Sequence, residues 1–414
     1  MKAVHLLYDF VASAAEKLLP LTGIFSEKMD LFTKGRKNTF SILESNLGLT
    51  DKVFWFHASS LGEYEQAVPV MTEVKNYFPE HKLVVSFFSP SGFENKKNSH
   101  LSDATVYLPI DTKDNVKRFL DLVHPEWAIF VKYDFWPNFL DELKRREIKT
   151  LLISAAFRKD QYFFKSFGKW WHQYFRTFDH FFVQDEISGD LLKSIGFTNY
   201  SISGDTRFDR VAAQTNQDNN LDFMESFADE KFCIVAGSTW PEDEEMLIDY
   251  INASGDLKFI IAPHTIAPNR IKSIIDKLQV STILFSERAG EDLSEFRVLI
   301  VDAIGYLGRI YSYAKIAYVG GAAGTTGLHN ILEPAAFAIP VVIGKNFSRY
   351  PEAIKLKENN GLYSVASKEE LGMILGDLVN NEELRSSTGK KSGTFVLENT
   401  GATEKIISFI LKNS

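Results

Sequence analysis

From about residue 52 onward, short apolar runs alternate with helix-length amphipathic segments. The runs at Val53–Phe56, Leu83–Phe88, Trp127–Val131, Thr150–Ser154 and Phe181–Val183 have almost no polar interruption. A strand with one wet face alternates polar and apolar positions. A strand covered on both faces does not, so these runs predict a parallel sheet lined by helices on either side. Helices are predicted between the runs, as at residues 63–78 and 113–123. Strand and helix in turn give crossover units and a doubly wound α/β sheet.

The pattern lapses at residues 205–220, where Gln214–Asn220 is polar and aperiodic, as in a linker or mobile loop. It then restarts at Phe232–Ala236, Phe259–Ala262, Val298–Val301, Ile316–Val319 and Pro340–Ile343. A second parallel sheet is therefore expected, with a cleft between two α/β domains. Residues 402–412 read as a terminal helix that packs back on the first domain. No short-period repeat or low-complexity tract interrupts this plan.

Composition narrows the picture. A chain of 414 residues can bury two sizeable cores, and 45% hydrophobic with 24% charged residues reads as globular. A net charge of -8 argues against bulk nucleic-acid binding. Cys233 is the single cysteine, which excludes an intrachain disulfide and a cysteine-cluster metal site and fits a reducing compartment. It sits in an apolar run and is expected in the core. No segment reaches the roughly 20 apolar residues that span a bilayer. Residues 3–25 are apolar-rich yet carry His5, Asp9, Glu16 and Lys17. Lys28, Lys34, Arg36 and Lys37 follow, interleaved with Phe25, Met29, Leu31 and Phe32. Two readings stay open here: a helix packed on its own domain, or an amphipathic element on an anionic membrane surface.

Candidate chemistry lies at the strand ends, where ligands of such folds gather. After the first strand comes His57-Ala-Ser-Ser-Leu-Gly-Glu63. Gly62 permits a tight turn, and Glu63 opens the next helix as a candidate base. The plainer alternative is an acid favoured by the helix dipole. Ser89-Pro-Ser-Gly92 suits a helix cap or an anion site, with the cap the stronger reading. Lys132-Tyr-Asp134 precedes Phe135-Trp-Pro-Asn138, and its bland reading is an internal Lys–Asp pair. Arg207, in Gly204-Asp-Thr-Arg-Phe-Asp209, is placed to meet an anion across a cleft or to pair with Asp205 or Asp209. The second domain adds Ala236-Gly-Ser-Thr-Trp240, Ala262-Pro-His264 and the glycine-rich Gly320 to Glu333. Such a loop lets backbone approach a phosphate, with a helix N-terminus facing the charge. Its spacing fits neither the dinucleotide fingerprint nor the P-loop.

These motifs, in this order, resemble the 3-deoxy-D-manno-octulosonic acid (Kdo) transferases of lipopolysaccharide synthesis. The resemblance covers nearly the whole chain and extends to Gly35-Arg-Lys-Asn38 near the N-terminus. It implies a GT-B glycosyltransferase with two Rossmann-like domains. An N-terminal segment, residues 1–40, would attach it to the anionic cytoplasmic face of the inner membrane. Residues 41–210 would form the acceptor domain and 211–400 the donor domain, with 401–414 returning to the first. The donor would be CMP-Kdo and the acceptor a lipid A precursor, lipid IVA. Transfer would invert the anomeric centre, with no metal, no further cofactor and no nucleic acid involved.

Carried over residue by residue, the resemblance makes Glu63 the general base. Arg207 stands where the family has a transition-state-stabilising basic residue, usually lysine. Pro263 and His264 match a Pro-Arg at the nucleotide, and Ile304, Gly305 and Tyr306 match a Met-Gly-Glu at the donor. Asn330, Ile331, Leu332 and Glu333 match an Asn-Pro-Leu-Glu that holds the nucleotide. The chain departs from the family at Lys132-Tyr-Asp134, where a Glu-Thr-Glu is usual: Lys132 replaces a supporting carboxylate and Asp134 keeps an acid. His264 for arginine weakens the cationic grip on phosphate, and Tyr306 replaces a glutamate. Two other readings follow from the residues alone: a same-fold transferase using a UDP- or GDP-sugar, and a non-catalytic two-domain sugar or nucleotide binder.

Overall fold

A computed structural model describes residues 2–22 and 27–414. The chain forms two compact units, one from the segment up to Arg210 with Thr400–Ser414 and the other from Val211–Asn399. The first unit contains β1 (Val53–Ala58), β2 (Lys82–Phe87), β3 (Ala104–Tyr107), β4 (Trp127–Val131), β5 (Lys149–Ala155), β6 (His180–Val183) and β7 (Tyr200–Ile202). All pair in parallel, in the order β3-β2-β1-β4-β5-β6-β7. The second unit contains β8 (Cys233–Thr239), β9 (Lys258–Pro263), β10 (Thr282–Leu284), β11 (Val298–Ile300), β12 (Ile316–Val319), β13 (Val341–Gly344) and β14 (Leu362–Val365). Their order is β10-β11-β9-β8-β12-β13-β14, again parallel.

Side chains alternate across each sheet. Phe54, Phe56, Ile129 and Val131 enter one core, while Trp55, Ala128 and Phe130 enter the other. Covering both faces is why the central strands are apolar throughout. Each unit has a central reversal of strand order, between β1 and β4 in the first and between β8 and β12 in the second, where β10 and β11 are also exchanged at the edge. The carboxyl ends of the strands at such a reversal are the usual ligand position in this fold class.

The first unit closes with a late segment. Helix Ala402–Asn413 contributes Ile406, Ile407 and Ile410 to its core. Asp209 fixes the start of that helix by accepting from the N–H groups of Gly401 (2.6 Å) and Thr403 (2.8 Å).

At the other end of the chain are α1 (Lys2–Thr22), α2 (Glu27–Lys37) and α3 (Thr39–Asn46). Phe25 lies outside the described residues. Helix α1 is docked by its polar side. His5 shares a hydrogen bond with Tyr174 Oη (2.6 Å), Tyr8 Oη donates to Asp111 (2.7 Å), and Asp9 pairs with Lys113 (2.7 Å). Its apolar side faces outward: Leu6 is 65% and Phe10 72% exposed, and Leu7, Val11 and Leu18 are exposed with them. A helix packed for its own domain's core would point the other way. Among the described residues, no helix is long and apolar enough to cross a membrane.

Candidate active site

The first cluster stands at the reversal between β1 and β4. Helix α4 (Leu61–Tyr77) begins three residues after β1, with Ser60 at its N-cap and Glu63 in its first turn. Ser60-x-x-Glu63 has the spacing of a capping box, in which the serine would accept from helix N–H groups. Here its hydroxyl donates to Glu63 Oε2 instead. Glu63 Oε1 lies 3.7 Å from Lys132 Nζ. Both carboxylate oxygens thus face a donor, in a side chain that keeps 18% exposure.

Lys132 reaches Glu63 because the chain leaves the sheet abruptly. Strand β4 ends at Val131, and Lys132 adopts a left-handed φ of 64° while its N–H still donates to Ile153 O (2.9 Å). That conformation costs a lysine about 1 kcal/mol, and the neighbouring sheet imposes it. The internal Lys132–Asp134 pair expected from the sequence does not form.

Asp134 turns instead to His57, which is fully buried at the end of β1. Its Nδ1 faces both Ser86 Oγ (2.8 Å) and the Ser86 carbonyl (3.1 Å), and Trp55 Nε1 donates to the same hydroxyl oxygen (2.8 Å). An ionised carboxylate only accepts, so Nε2 carries the hydrogen donated to Asp134 Oδ2 at 2.7 Å. Trp136 Nε1 lies 3.1 Å from the same nitrogen and 3.2 Å from Asp134 Oδ2. Two N–H donors cannot bond each other, so Trp136 also serves the carboxylate. Burial alone would raise the Asp134 pKa. Hydrogen bonds from His57, Trp136 and Ser59, with the nearby His57 charge, hold it below the ordinary value. Ser86 is aligned for this by register, opposite His57 in the β1–β2 pair.

Arg207 lies at the start of helix Thr206–Thr215. Of the two acids beside it in sequence it pairs with Asp205: Nε and Nη2 each approach Asp205 Oδ2 at 2.8 Å. Gln66 of α4 donates to Asp205 Oδ1 (3.0 Å), and Thr206 donates to the Gln66 carbonyl (2.6 Å). Arg207 is thereby tied to the helix that carries Glu63. Ser89 caps helix Pro90–Lys96, accepting from Ser91 N–H at 3.3 Å.

The second unit's cluster stands at the reversal between β8 and β12. Helix Pro241–Ala253 follows β8 and places Asp243 in its first turn, fully buried. Its Oδ2 accepts from Trp240 N–H (2.9 Å) and Gly321 N–H (2.8 Å), and its Oδ1 from Tyr318 Oη (2.9 Å) and Ala323 N–H (3.3 Å). Burial raises the Asp243 pKa against these four donors. The glycine-rich loop is therefore organised around an acid of its own unit. Two of its amides are committed to Asp243, Gly327 N–H donates to Gly321 O, and His329 N–H donates to Gly320 O. Gly320 has no room for a side chain, since an added Cβ would sit 2.3 Å from Ser238 O.

Beside this loop three rings meet. His264 lies 4.6 Å from both Trp240 and His329, centroid to centroid, with the Trp240 ring tilted 23° to it. Trp240 Nε1 donates to His329 Nε2 (3.0 Å). Burial lowers the pKa of His264, and burial together with His264 pushes that of His329 down to about 4. Pro263 ends β9, and His264 N–H donates to Thr239 O (3.0 Å). Asn330 Oδ1 accepts from Leu332 N–H (3.1 Å) and its amide donates to Glu333 (3.2 Å). Ile331 and Leu332 are buried. Ile304 is 78% exposed beside Gly305, whose φ is +96°, whereas the Tyr306 ring packs on Phe285 (4.6 Å) and Phe223 (5.9 Å). Cys233 is buried, as expected. Among the described residues, no group of His, Cys, Asp or Glu is arranged to hold a metal ion.

Sequence reasoning singled out Glu63, Arg207 and Asp134 as catalytic and His264 at the nucleotide, but not His57, Ser60, Trp240, Asp243 or His329 as working parts. The acid two residues after Pro241 was the available sign of Asp243, since Pro at the first helical position and an acid in the first turn mark a helix start.

Comparison with known proteins bears on both clusters. Residues 26–210 match the family described as 3-deoxy-D-manno-octulosonic-acid transferase (kdotransferase). A 3-deoxy-D-manno-octulosonic acid transferase of Chlamydia trachomatis is 30% identical over 83% of this chain and 81% of its own length. A protein of the same name from Chlamydophila psittaci is 26% identical over 90% of this chain and 88% of its own. The crystal structure of UDP-GlcNAc 2-epimerase from Neisseria meningitidis bound to UDP-GlcNAc aligns with a TM-score of 0.63 at 15% identity, over 87% of this chain and 100% of that one. That likeness concerns fold, and with the two doubly wound sheets it makes the architecture GT-B, as the motifs implied.

Proposed function

The chain belongs to the 3-deoxy-D-manno-octulosonic acid transferase family, and from that premise we propose how its residues carry out the reaction. It is a glycosyltransferase that moves Kdo in lipopolysaccharide synthesis. The donor is CMP-Kdo and the acceptor a lipid A precursor, lipid IVA. Glu63 removes the proton from the acceptor hydroxyl. The freed oxygen bonds to the anomeric carbon of Kdo from the face opposite the nucleotide, while the bond from that carbon to the phosphate oxygen breaks. CMP leaves with the electron pair, and the proton stays on Glu63. The observation that carries this reading is the setting of Glu63: at the strand reversal, one oxygen met by Ser60, the other by Lys132, and still open to solvent.

The remaining residues act around that step. Arg207, held by Asp205, stabilises charge developing on the leaving phosphate, the kind of contribution that is often the largest in such reactions. Asp134 is taken up by His57 and Trp136, so its part is to position the β1–α4 turn. In the second unit, the ring group around His264, the Asn330–Glu333 segment and the Ile304–Tyr306 turn hold the nucleotide and its sugar. The protein works at the cytoplasmic surface of the inner membrane, where the outward apolar side of α1 enters the anionic interface.

Product analysis by mass spectrometry tests the whole reading. The purified protein, CMP-Kdo and a tetra-acylated lipid A precursor should give the Kdo-bearing lipid, with one CMP released per sugar transferred. A product formed only from a UDP- or GDP-sugar would replace this reading with another GT-B transferase. Tight nucleotide binding without turnover on any donor would replace it with a non-catalytic binder.

A further inference from the structure

Away from both clusters, a cavity of about 210 Å³ opens in the first unit among α1, α2, α3 and the segment after β3. Leu19, Phe32, Phe40 and Ile110 give it an apolar wall. Arg36 and Lys37 also line it. Arg36 is the unusual member. Its Nε donates to Leu108 O (3.0 Å), Nη1 to Phe32 O (2.9 Å) and Nη2 to Phe88 O (2.8 Å). Its guanidinium carbon stands 3.5 Å from the centre of the Phe32 ring. Every one of these partners is neutral. Among the described residues, no carboxylate lies within ion-pair distance of Arg36. Burial lowers its pKa to about 9, which leaves it a cation at neutral pH.

A guanidinium withdrawn from water without a counter-ion is costly, and carbonyl dipoles offset only part of that cost. Three of its five N–H groups are used, so two remain for an anion, and a planar guanidinium suits phosphate. Glu16 is the single acid on the cavity wall, and Asn115 holds it (2.6 Å). The wall is therefore both apolar and net positive. It also adjoins the outward face of α1, since Leu18, next to the lining Leu19, is 59% exposed.

We infer that this cavity takes part of one acyl chain of the phosphorylated acceptor lipid, with Arg36 and Lys37 meeting the lipid's phosphate. The inference rests on the Kdo-transferase reading for the identity of the lipid, and on the cavity alone for its chemistry. An apolar slot without cations would accept any alkyl chain. A basic patch without the slot would accept any phosphate. The two together select an anionic amphiphile, which neither feature does alone.

Calorimetry on the full chain tests the chemistry without turnover, using dodecyl phosphate, dodecanol and inorganic phosphate as probes. Dodecyl phosphate should bind at least about 10-fold tighter than either of the others. Ile110→Trp, which fills the slot, and Lys37→Met, which leaves the buried bonds of Arg36 intact, should each weaken it by about 10-fold while circular dichroism and Tm stay unchanged. Equal binding of dodecanol, or wild-type affinity in a folded Ile110→Trp, overturns the site. A second arm identifies the source. For Ile110→Trp the KM for the tetra-acylated precursor should rise about 10-fold, with turnover of a de-acylated, phosphorylated precursor unaltered. Weakened binding to phosphatidylglycerol vesicles with an unchanged KM would make the occupant a membrane phospholipid and overturn the acceptor assignment. Loss of all transfer with dodecyl phosphate still bound would sink the transferase reading and leave the cavity's chemistry standing.

Discussion

The two units are both doubly wound parallel sheets of seven strands, and they differ at the central reversal of strand order. At the β1–β4 reversal the first unit gathers charges: Glu63 with Lys132, Asp134 with His57, Asp205 with Arg207. At the β8–β12 reversal the second unit gathers rings and glycines around one buried acid, Asp243. The first arrangement can move a proton and meet developing charge. The second offers flat surfaces and a fixed loop, which suit holding a flat, polar ligand. One fold class thus carries two kinds of site, and the groups that distinguish them stand in the loops.

The largest test of this division is Asp243→Ala. It strips a buried acceptor from three backbone N–H groups and the Tyr318 hydroxyl. Unsatisfied donors cost about 1–3 kcal/mol each. The substitution also removes a carboxylate that burial penalises, so we expect a net loss on the order of 4 kcal/mol. Calorimetry should show the second unit's stability and its CMP binding falling together. CMP affinity equal to wild type would mean that the loop does not hold the nucleotide. Next comes Glu63→Gln, which should cut turnover by about 100-fold or more with CMP affinity unchanged. Arg207→Ala should follow the same split with a smaller fall in rate. Near-normal rates in both would move the chemistry out of the first unit.

A smaller effect is expected at the membrane. Leu6→Asp with Phe10→Asp should lower partition onto anionic vesicles by about 10-fold, since both side chains face outward and their loss leaves the core intact. Unchanged flotation with vesicles would deny α1 that role. The smallest effect concerns His329. Its folded pKa of about 4 lies below the ordinary 6.5. Between those values the unfolded chain binds a proton that the folded one refuses, so stability falls as pH drops from 6.5 towards 4 and is flat above. His329→Phe should remove that slope, a difference on the order of a few degrees in Tm at pH 5. His264 contributes with the same sign but is present in both proteins. Parallel Tm curves for the two would show that His329 is not held neutral by its ring neighbours.

Much of the fold was readable, and the gaps have a common cause. Ten strands follow from continuous apolar runs. The four that do not, β3, β7, β10 and β14, are the four sheet edges. Each is only three or four residues long, and β7, β10 and β14 are partly exposed, so no long run marks them. Glu63 was readable because Gly-Glu after an apolar run is a local signal. The partner of Lys132 was not, because a left-handed lysine at a strand end leaves no trace in composition. Asp243 and Gly321 are 78 positions apart, and Trp240 and His329 are 89, so their contacts belong to the folded sheet and to no local pattern. The stripe on α1 was visible too, but a helical period does not say which side meets the protein.

The grip of Asp209 on Gly401 and Thr403 has a consequence for biosynthesis. The ribosome finishes the first sheet some two hundred residues before it makes the helix that supplies Ile406, Ile407 and Ile410 to that sheet's core. Until Ala402–Asn413 emerges, the earlier-made half carries an open apolar groove while the later half folds within the same chain. A nonsense codon close to the end of the message would therefore damage the part of the enzyme encoded at its beginning.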